Sequence, residues 1–187
     1  MTRSKLTRRA LIASGTVALF TPSLLRAETE DQAGVRRNAT SFVAQNWRDH
    51  FDSLGKAAIV ADTSSRALHY WNSDASDYRV YPTSVPATEA LTKRGYTKIM
   101  RKKVGPDWTP TASMMERFPD YKYMPPGPVN PLGTHAMYLS WPAYIIHGTQ
   151  DTSKIGRRSS DGCIGLYNNQ IEQLFAVCPI GTQVRII

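Results

Sequence analysis

The sequence predicts a mainly β domain, a β-sandwich of mixed sheets with a short helix late in the chain. Three observations carry this. Short apolar runs separated by turn residues fill the first 110 positions, and no long amphipathic helix appears there. Pro119, Pro125, Pro126, Pro128 and Pro131 crowd the stretch 114–133, and a residue without a ladder donor excludes sheet there. Ile171, Leu174, Phe175 and Cys178 then fall at i, i+3, i+4 and i+7, the single clear helical stripe.

In chain order, Ala57-Ala58-Ile59-Val60-Ala61 and Ala67-Leu68-His69-Tyr70-Trp71 flank the turn Asp62-Thr63-Ser64-Ser65 and predict a hairpin. Tyr78-Arg79-Val80-Tyr81-Pro82 alternates and predicts a third strand. The proline-rich stretch reads as a long surface loop, a feature uncommon unless it lines a site or moves. Its Tyr121 and Tyr123, with the nearby Trp108, read either as a binding wall or as packing beneath the loop. Residues 136–140 and 143–146 predict two strands joined by Ser140-Trp141-Pro142, leaving His147-Gly148-Thr149 at the second strand's end. Asn168 or Asn169 is placed to cap the helix. Pro179 and Gly181 stop it, and residues 182–187 close the chain as a strand.

The N-terminal residues read separately. Arg8-Arg9 precede an apolar run to Phe20, and Leu25-Arg26-Ala27 offers a cleavage site, the layout of an export signal. The Thr-Arg-Arg-x-Leu-Ile setting resembles a twin-arginine signal. A membrane anchor is the alternative, but Ser14, Gly15, Thr16 and Pro22 interrupt a run shorter than the roughly 20 apolar residues a span needs. The expected organisation is a signal over 1–27, a polar lead-in over 28–55 with a helical turn or two near Phe42 and Trp47, and the domain over 56–187. Five of the 23 basic residues and no acid lie in 1–27, leaving 18 basic against 15 acidic residues beyond it. That balance and the lack of a nucleic-acid motif argue against a nucleic-acid partner. The expected compartment is the periplasm.

Two cysteines make a poor disulfide scaffold for 187 residues. Cys178 shares the helix stripe and reads as core. A Cys163–Cys178 bridge is the rival, closing a 15-residue loop for about 3 kcal/mol. Cys163 stands in Gly156-Arg157-Arg158-Ser159-Ser160-Asp161-Gly162-Cys163-Ile164-Gly165. Gly162 permits a tight turn that exposes the next side chain and aims backbone N–H groups at one point. Arg157 and Arg158 favour thiolate there. A nucleophilic cysteine needs a base, and His147 at a strand end is the candidate; an inert surface thiol is the alternative. His50, His69 and His135 read as structural or solvent-facing. The four histidines are too dispersed to suggest a metal site, and no cofactor is implied.

Ile146-His147-Gly148-Thr149, Ile155-Gly156 and Ser160-Asp161-Gly162-Cys163-Ile164 together resemble the signature of the YkuD-type L,D-transpeptidases, with the cysteine sixteen residues after the histidine. Pro-Val-Asn-Pro-Leu-Gly before the strand pair and the closing Gly-Thr-Gln-Val-Arg-Ile are similar too. The resemblance spans residues 56–187. It implies a β-sandwich-like domain acting on peptidoglycan stem peptides, with Cys163 as nucleophile and His147 as base. The Gly162 and Cys163 backbone would hold the oxyanion, and Ser160, Gly148, Thr149 and Arg158 would line the substrate side. The thiolate would attack the carbonyl of the third stem residue and expel D-alanine. An amine acceptor, an outer-membrane protein or lipoprotein among the candidates, would then take the acyl group. The same fold with water as acceptor is a carboxypeptidase or amidase, and a silent wall-binding module is the reading from another class. The sequence departs from the signature twice. Asp161 stands where the family has histidine, and Gly165 where it has arginine. Asp161 reads either as an orienting group for His147 or the Cys163 loop, or as a solvated turn residue. Arg157 or Arg158 could replace the missing arginine as a carboxylate anchor.

Overall fold

Ala57–Asp62 forms β1, and all six of its residues are buried. Both faces of the strand are covered, so its first five residues are continuously apolar instead of alternating. The computed structural model describes residues 42–187; the expected signal over 1–27 and the first part of the expected lead-in lie outside the described residues. β2 (Ala67–Asn72) completes the expected hairpin with β1, and the expected third strand, β3 (Tyr78–Pro82), pairs antiparallel with β2. After the short β4 (Val85–Pro86) comes β5 (Gly95–Val104), then helix α1 (Ala112–Arg117), β6 (His135–Leu139) and β7 (Ile145–His147). The chain ends with β8 (Arg158–Ser160), β9 (Ile164–Gly165), helix α2 (Asn168–Val177) and β10 (Gln183–Ile186).

Eight strands form one mixed sheet in the order β3-β2-β1-β10-β5-β6-β7-β9, and β4 pairs β8 separately. β10 runs parallel to β1, and β9 parallel to β7. The mainly β expectation holds. The sandwich-like wrap comes from β5, whose first half pairs β10 and whose second half pairs β6 across an irregularity between Ile99 and Arg101. An irregular step of this kind bends a strand and lets a sheet turn a corner. The main core lies within the wrap, where Ile59, Leu68 and Tyr70 meet Met137, Ile146 and Ile164. Helix α2 inserts Ile171 and Leu174 into it. A second cluster covers the other face of β1 and β2, where Phe51 and Leu54 pack on Ala58, Val60 and Trp71.

Three local expectations are corrected. The 114–133 loop starts inside α1, because Thr111 accepts a hydrogen bond from the Met114 N–H and caps a helix ahead of the prolines. The second strand of the 136–146 pair begins at Ile145, because Ala143 adopts φ +63° in the connecting turn. The cap position of α2 is Tyr167, without a side-chain bond, because Asn168 turns its Oδ1 to the Thr134 N–H at 3.1 Å.

Candidate active site

β7 and β9 bring the cysteine and the histidine to one place. Ile146 lies opposite Ile164 and His147 opposite Gly165. Side chains alternate along a strand, so Ile146 enters the core while His147 points the other way. Cys163 precedes Gly165 by two residues, an axial step of about 6.6 Å. Both side chains line one cleft of about 230 Å³. Trp108, Met114, Tyr121 and Met124 form its opposite wall, so the proline-rich loop does line the site. A cavity of about 520 Å³ between His69, Tyr78 and Tyr167 is larger but holds neither member of the pair.

The His147 ring is buried, and its Nδ1 abuts the Gly148 carbonyl oxygen. A carbonyl only accepts, so Nδ1 carries the proton and Nε2 keeps its lone pair. Burial lowers the imidazole pKa to about 4, the Gly148 carbonyl opposes this, and the Lys154 charge adds to it. The Cys163 thiol donates to the Ala143 carbonyl at 3.6 Å, not to His147. Burial raises its pKa to about 11; backbone contact at Ile145 opposes this and the Asp161 charge adds to it. The resting pair is therefore neutral thiol and neutral imidazole. The expected help from two arginines is absent: Arg158 pairs with Glu89 at 3.0 Å, and neither arginine shifts the thiol.

The turn before the cysteine is built from its own atoms. Gly162 adopts φ +124°, where a Cβ would meet the Tyr144 ring at 3.4 Å. The Ser160 hydroxyl donates to the Cys163 carbonyl at 2.6 Å and accepts from the Gly162 N–H at 3.4 Å. The Cys163 N–H has no hydrogen-bond partner among the described residues. Of the two expected oxyanion donors, it is the uncommitted one. Gly148 and Thr149 are buried directly after His147, and the Thr149 hydroxyl accepts from the Asp151 N–H at 3.1 Å. Asp161 forms an ion pair with Arg117 at 2.7 Å, and no bond to His147 is made. Cys163 and Cys178 are both free, and Cys178 is fully buried with its thiol 3.3 Å from the Thr182 hydroxyl.

Sequence reasoning missed Arg117, Ala143, Lys154 and Ser84. Thr111 ahead of Ala-Ser-Met-Met-Glu-Arg was the signal for α1, and so for Arg117. Ser84 explains the missing arginine. It bridges Gly165 through backbone bonds in both directions, and a Cβ on Gly165 would stand 2.4 Å from its Oγ.

Residues 56–186 match the family model described as YkuD, the L,D-transpeptidase catalytic domain. This chain belongs to the YkuD family. The L,D-transpeptidase of the ATP synthase subunits region ORF 5 of Fuscovulum blasticum is 63% identical over 97% of this chain and 98% of its own length. The Escherichia coli L,D-transpeptidase ErfK/SrfK is 35% identical over 71% of this chain but 44% of its own length, so this chain spans under half of that relative. The L,D-transpeptidase of Mycobacterium smegmatis shares the fold with a TM-score of 0.56, at 16% identity over 71% of this chain and 58% of that one. The Cys163–His147 cleft thus lies in a YkuD-type L,D-transpeptidase domain.

Proposed function

We propose that this YkuD domain is a peptidoglycan L,D-transpeptidase that uses Cys163 as nucleophile and His147 as base. One observation carries the reading: the two residues share a cleft, His147 ending β7 and Cys163 directly preceding the parallel β9, with the imidazole Nδ1 committed to a backbone carbonyl and Nε2 left as base. A thiol held near pKa 11 and an imidazole near pKa 4 do not form an ion pair at rest. Proton transfer accompanies attack instead, after Cys163 rotates away from Ala143.

In the first half-reaction the sulfur bonds to the carbonyl carbon of the third stem residue, a meso-diaminopimelate, while Nε2 takes the thiol proton. The Cys163 N–H donates to the oxyanion. Collapse breaks the amide bond, and His147 returns the proton to the departing D-alanine amine. In the second, His147 takes a proton from an acceptor amine as it attacks the thioester. The products are a 3–3 crosslink or a wall-linked protein and the free thiol. An outer-membrane protein or lipoprotein fits the role of amine acceptor. With water as acceptor the site is a carboxypeptidase. The proposal places the enzyme in the periplasm, delivered by the twin-arginine machinery.

Imipenem, a carbapenem, provides the first test. Intact mass spectrometry is expected to show one adduct on the wild-type protein and none on Cys163→Ala, because Cys178 is buried. An adduct that persists on Cys163→Ala rejects the nucleophile. Chain recovered from the native host is expected to lack residues 1–27 in the same spectra; their retention rejects the cleaved signal. Incubation with tetrapeptide-rich sacculi should then yield crosslinked dimers. Tripeptides alone would select the carboxypeptidase, and an unchanged muropeptide profile the silent binding module.

A further inference from the structure

We propose that Arg117 is a positioning residue for the catalytic loop: its ion pair with Asp161 fastens the 106–133 segment over Cys163 and screens the Asp161 carboxylate from the thiol. The inference rests on the reading of Cys163 as nucleophile. Asp161 lies two residues before the cysteine, in a turn that Ser160 ties to the Cys163 carbonyl. Arg117 comes from the other wall of the cleft, on the last residue of α1, and its Nη1 reaches the Asp161 carboxylate at 2.7 Å. The guanidinium is braced on its own helix, with Nε donating to the Ser113 carbonyl at 3.2 Å.

That wall is internally connected. Arg117 lies over the Phe118 ring, Phe118 stacks on Tyr121 at 4.8 Å, and Tyr121 meets Trp108 edge-on at 5.5 Å. Trp108 and Met124 exchange both backbone hydrogen bonds at 2.9 Å. Met114, on the same helix as Arg117, lines the main cleft and also a second cavity that reaches Cys163 from the Ala143 side. Among the described residues, the Arg117–Asp161 pair is the one ion pair joining this wall to the cysteine loop. Its side chains are 40% and 28% exposed, so the pair adds little to fold stability. Its effect falls on the sulfur, where the Asp161 charge already opposes thiolate formation. The other titratable and charged groups around the thiol are His147 on β7, Tyr144 in the preceding turn, Tyr121 and Lys154 lining the cleft, and Arg101, Asp107 and Tyr138 in the second cavity.

The test is the pH profile of iodoacetamide alkylation at Cys163, read by peptide mass spectrometry with Cys178 as the buried reference. Wild type is compared with Arg117→Gln, Arg117→Lys, Asp161→Asn and the Arg117→Gln/Asp161→Asn double variant, with a thermal melt for each. Below the thiol midpoint, Arg117→Gln is expected to slow alkylation about threefold to tenfold and Asp161→Asn to speed it by a similar factor, a shift of up to about one pKa unit. Arg117→Lys should keep the wild-type midpoint. In the Asp161→Asn background the Arg117→Gln change should lose most of its effect. A superimposable profile in every variant overturns the proposal, and so does an Arg117→Gln effect of equal size in both backgrounds. A merely structural tie would lower the melting temperature without moving the midpoint. Alkylation needs no peptidoglycan, so a wild type inert toward stem peptides would reject the transpeptidase reading while leaving this comparison decisive.

Discussion

At Gly133 the backbone has φ +61°, and a Cβ would stand 2.1 Å from the Asn168 Oδ1 and 2.6 Å from the Thr149 nitrogen. At Gly148, directly after His147, a Cβ would lie 2.3 Å from the same Asn168 oxygen and 3.1 Å from an Ile171 methyl. Asn168 is therefore the post against which the chains flanking His147 close, and both glycines are absences of side chain that the packing requires. Gly133→Ala combines left-handed strain with a backbone clash. It is expected to cost about 2–4 kcal/mol, lowering the melting temperature by roughly 5–15 °C in a domain of this size. Differential scanning calorimetry checks this, and a loss under 1 °C contradicts the packing argument. The Pro-Leu-Gly and His-Gly-Thr motifs were visible in the sequence, but their shared partner was not, because Asn168 lies 35 positions after Gly133. Its 3.1 Å bond to Thr134 exists only once α2 is docked.

Among the elements, β5 is the one whose absence from the sequence reading has the clearest cause. Gly-Tyr-Thr-Lys-Ile-Met-Arg-Lys-Lys-Val buries Ile99 alone among its ten residues, so neither alternation nor an apolar run marks it. Its lysines act through their length. The Lys102 ammonium donates to the Cys178 carbonyl at 2.7 Å and to the Phe175 carbonyl, and lies 4.2 Å from the centre of the Phe175 ring. It thereby satisfies carbonyls at the C-terminal end of α2, where a helix carries partial negative charge. Lys102→Met keeps the stem and removes these bonds. The expected loss is about 1–2 kcal/mol, seen as a lower urea midpoint with unchanged slope. An unchanged midpoint would mean that water replaces the ammonium without cost. The hairpin of β1 and β2, β3 and the α2 stripe were legible because each carries its own period or turn. The two-residue β4 and β9 and the three-residue β8 have no such pattern. They are strands because the neighbouring chain supplies their hydrogen bonds.

For the whole molecule, burying His147 makes stability depend on pH. Its folded pKa of about 4 lies below the unfolded value of 6.5. The unfolded chain therefore binds the proton first as pH falls. The stability from neutral His147 is complete above about pH 6.5, declines through the window from 6.5 to 4, and is lost below it. The shift corresponds to on the order of 3 kcal/mol across that window. Melting temperatures measured from pH 8 to pH 4 should fall more steeply for wild type than for His147→Gln. Parallel curves would show that the ring is solvated rather than buried.

By itself the sequence determined the mainly β class, the hairpin, the late helix, the contrast between core Cys178 and corner Cys163, and the Cys–His candidates, because these rest on local period, turn chemistry and motif spacing. The tertiary structure decided the rest. It wrapped one sheet about the irregular step in β5 and set β7 parallel to β9, which puts His147 opposite Gly165. It gave Asp161 an arginine partner from a helix 44 positions earlier. Partners of that kind are chosen by which surfaces meet when the core closes, and no local spacing in the chain encodes them.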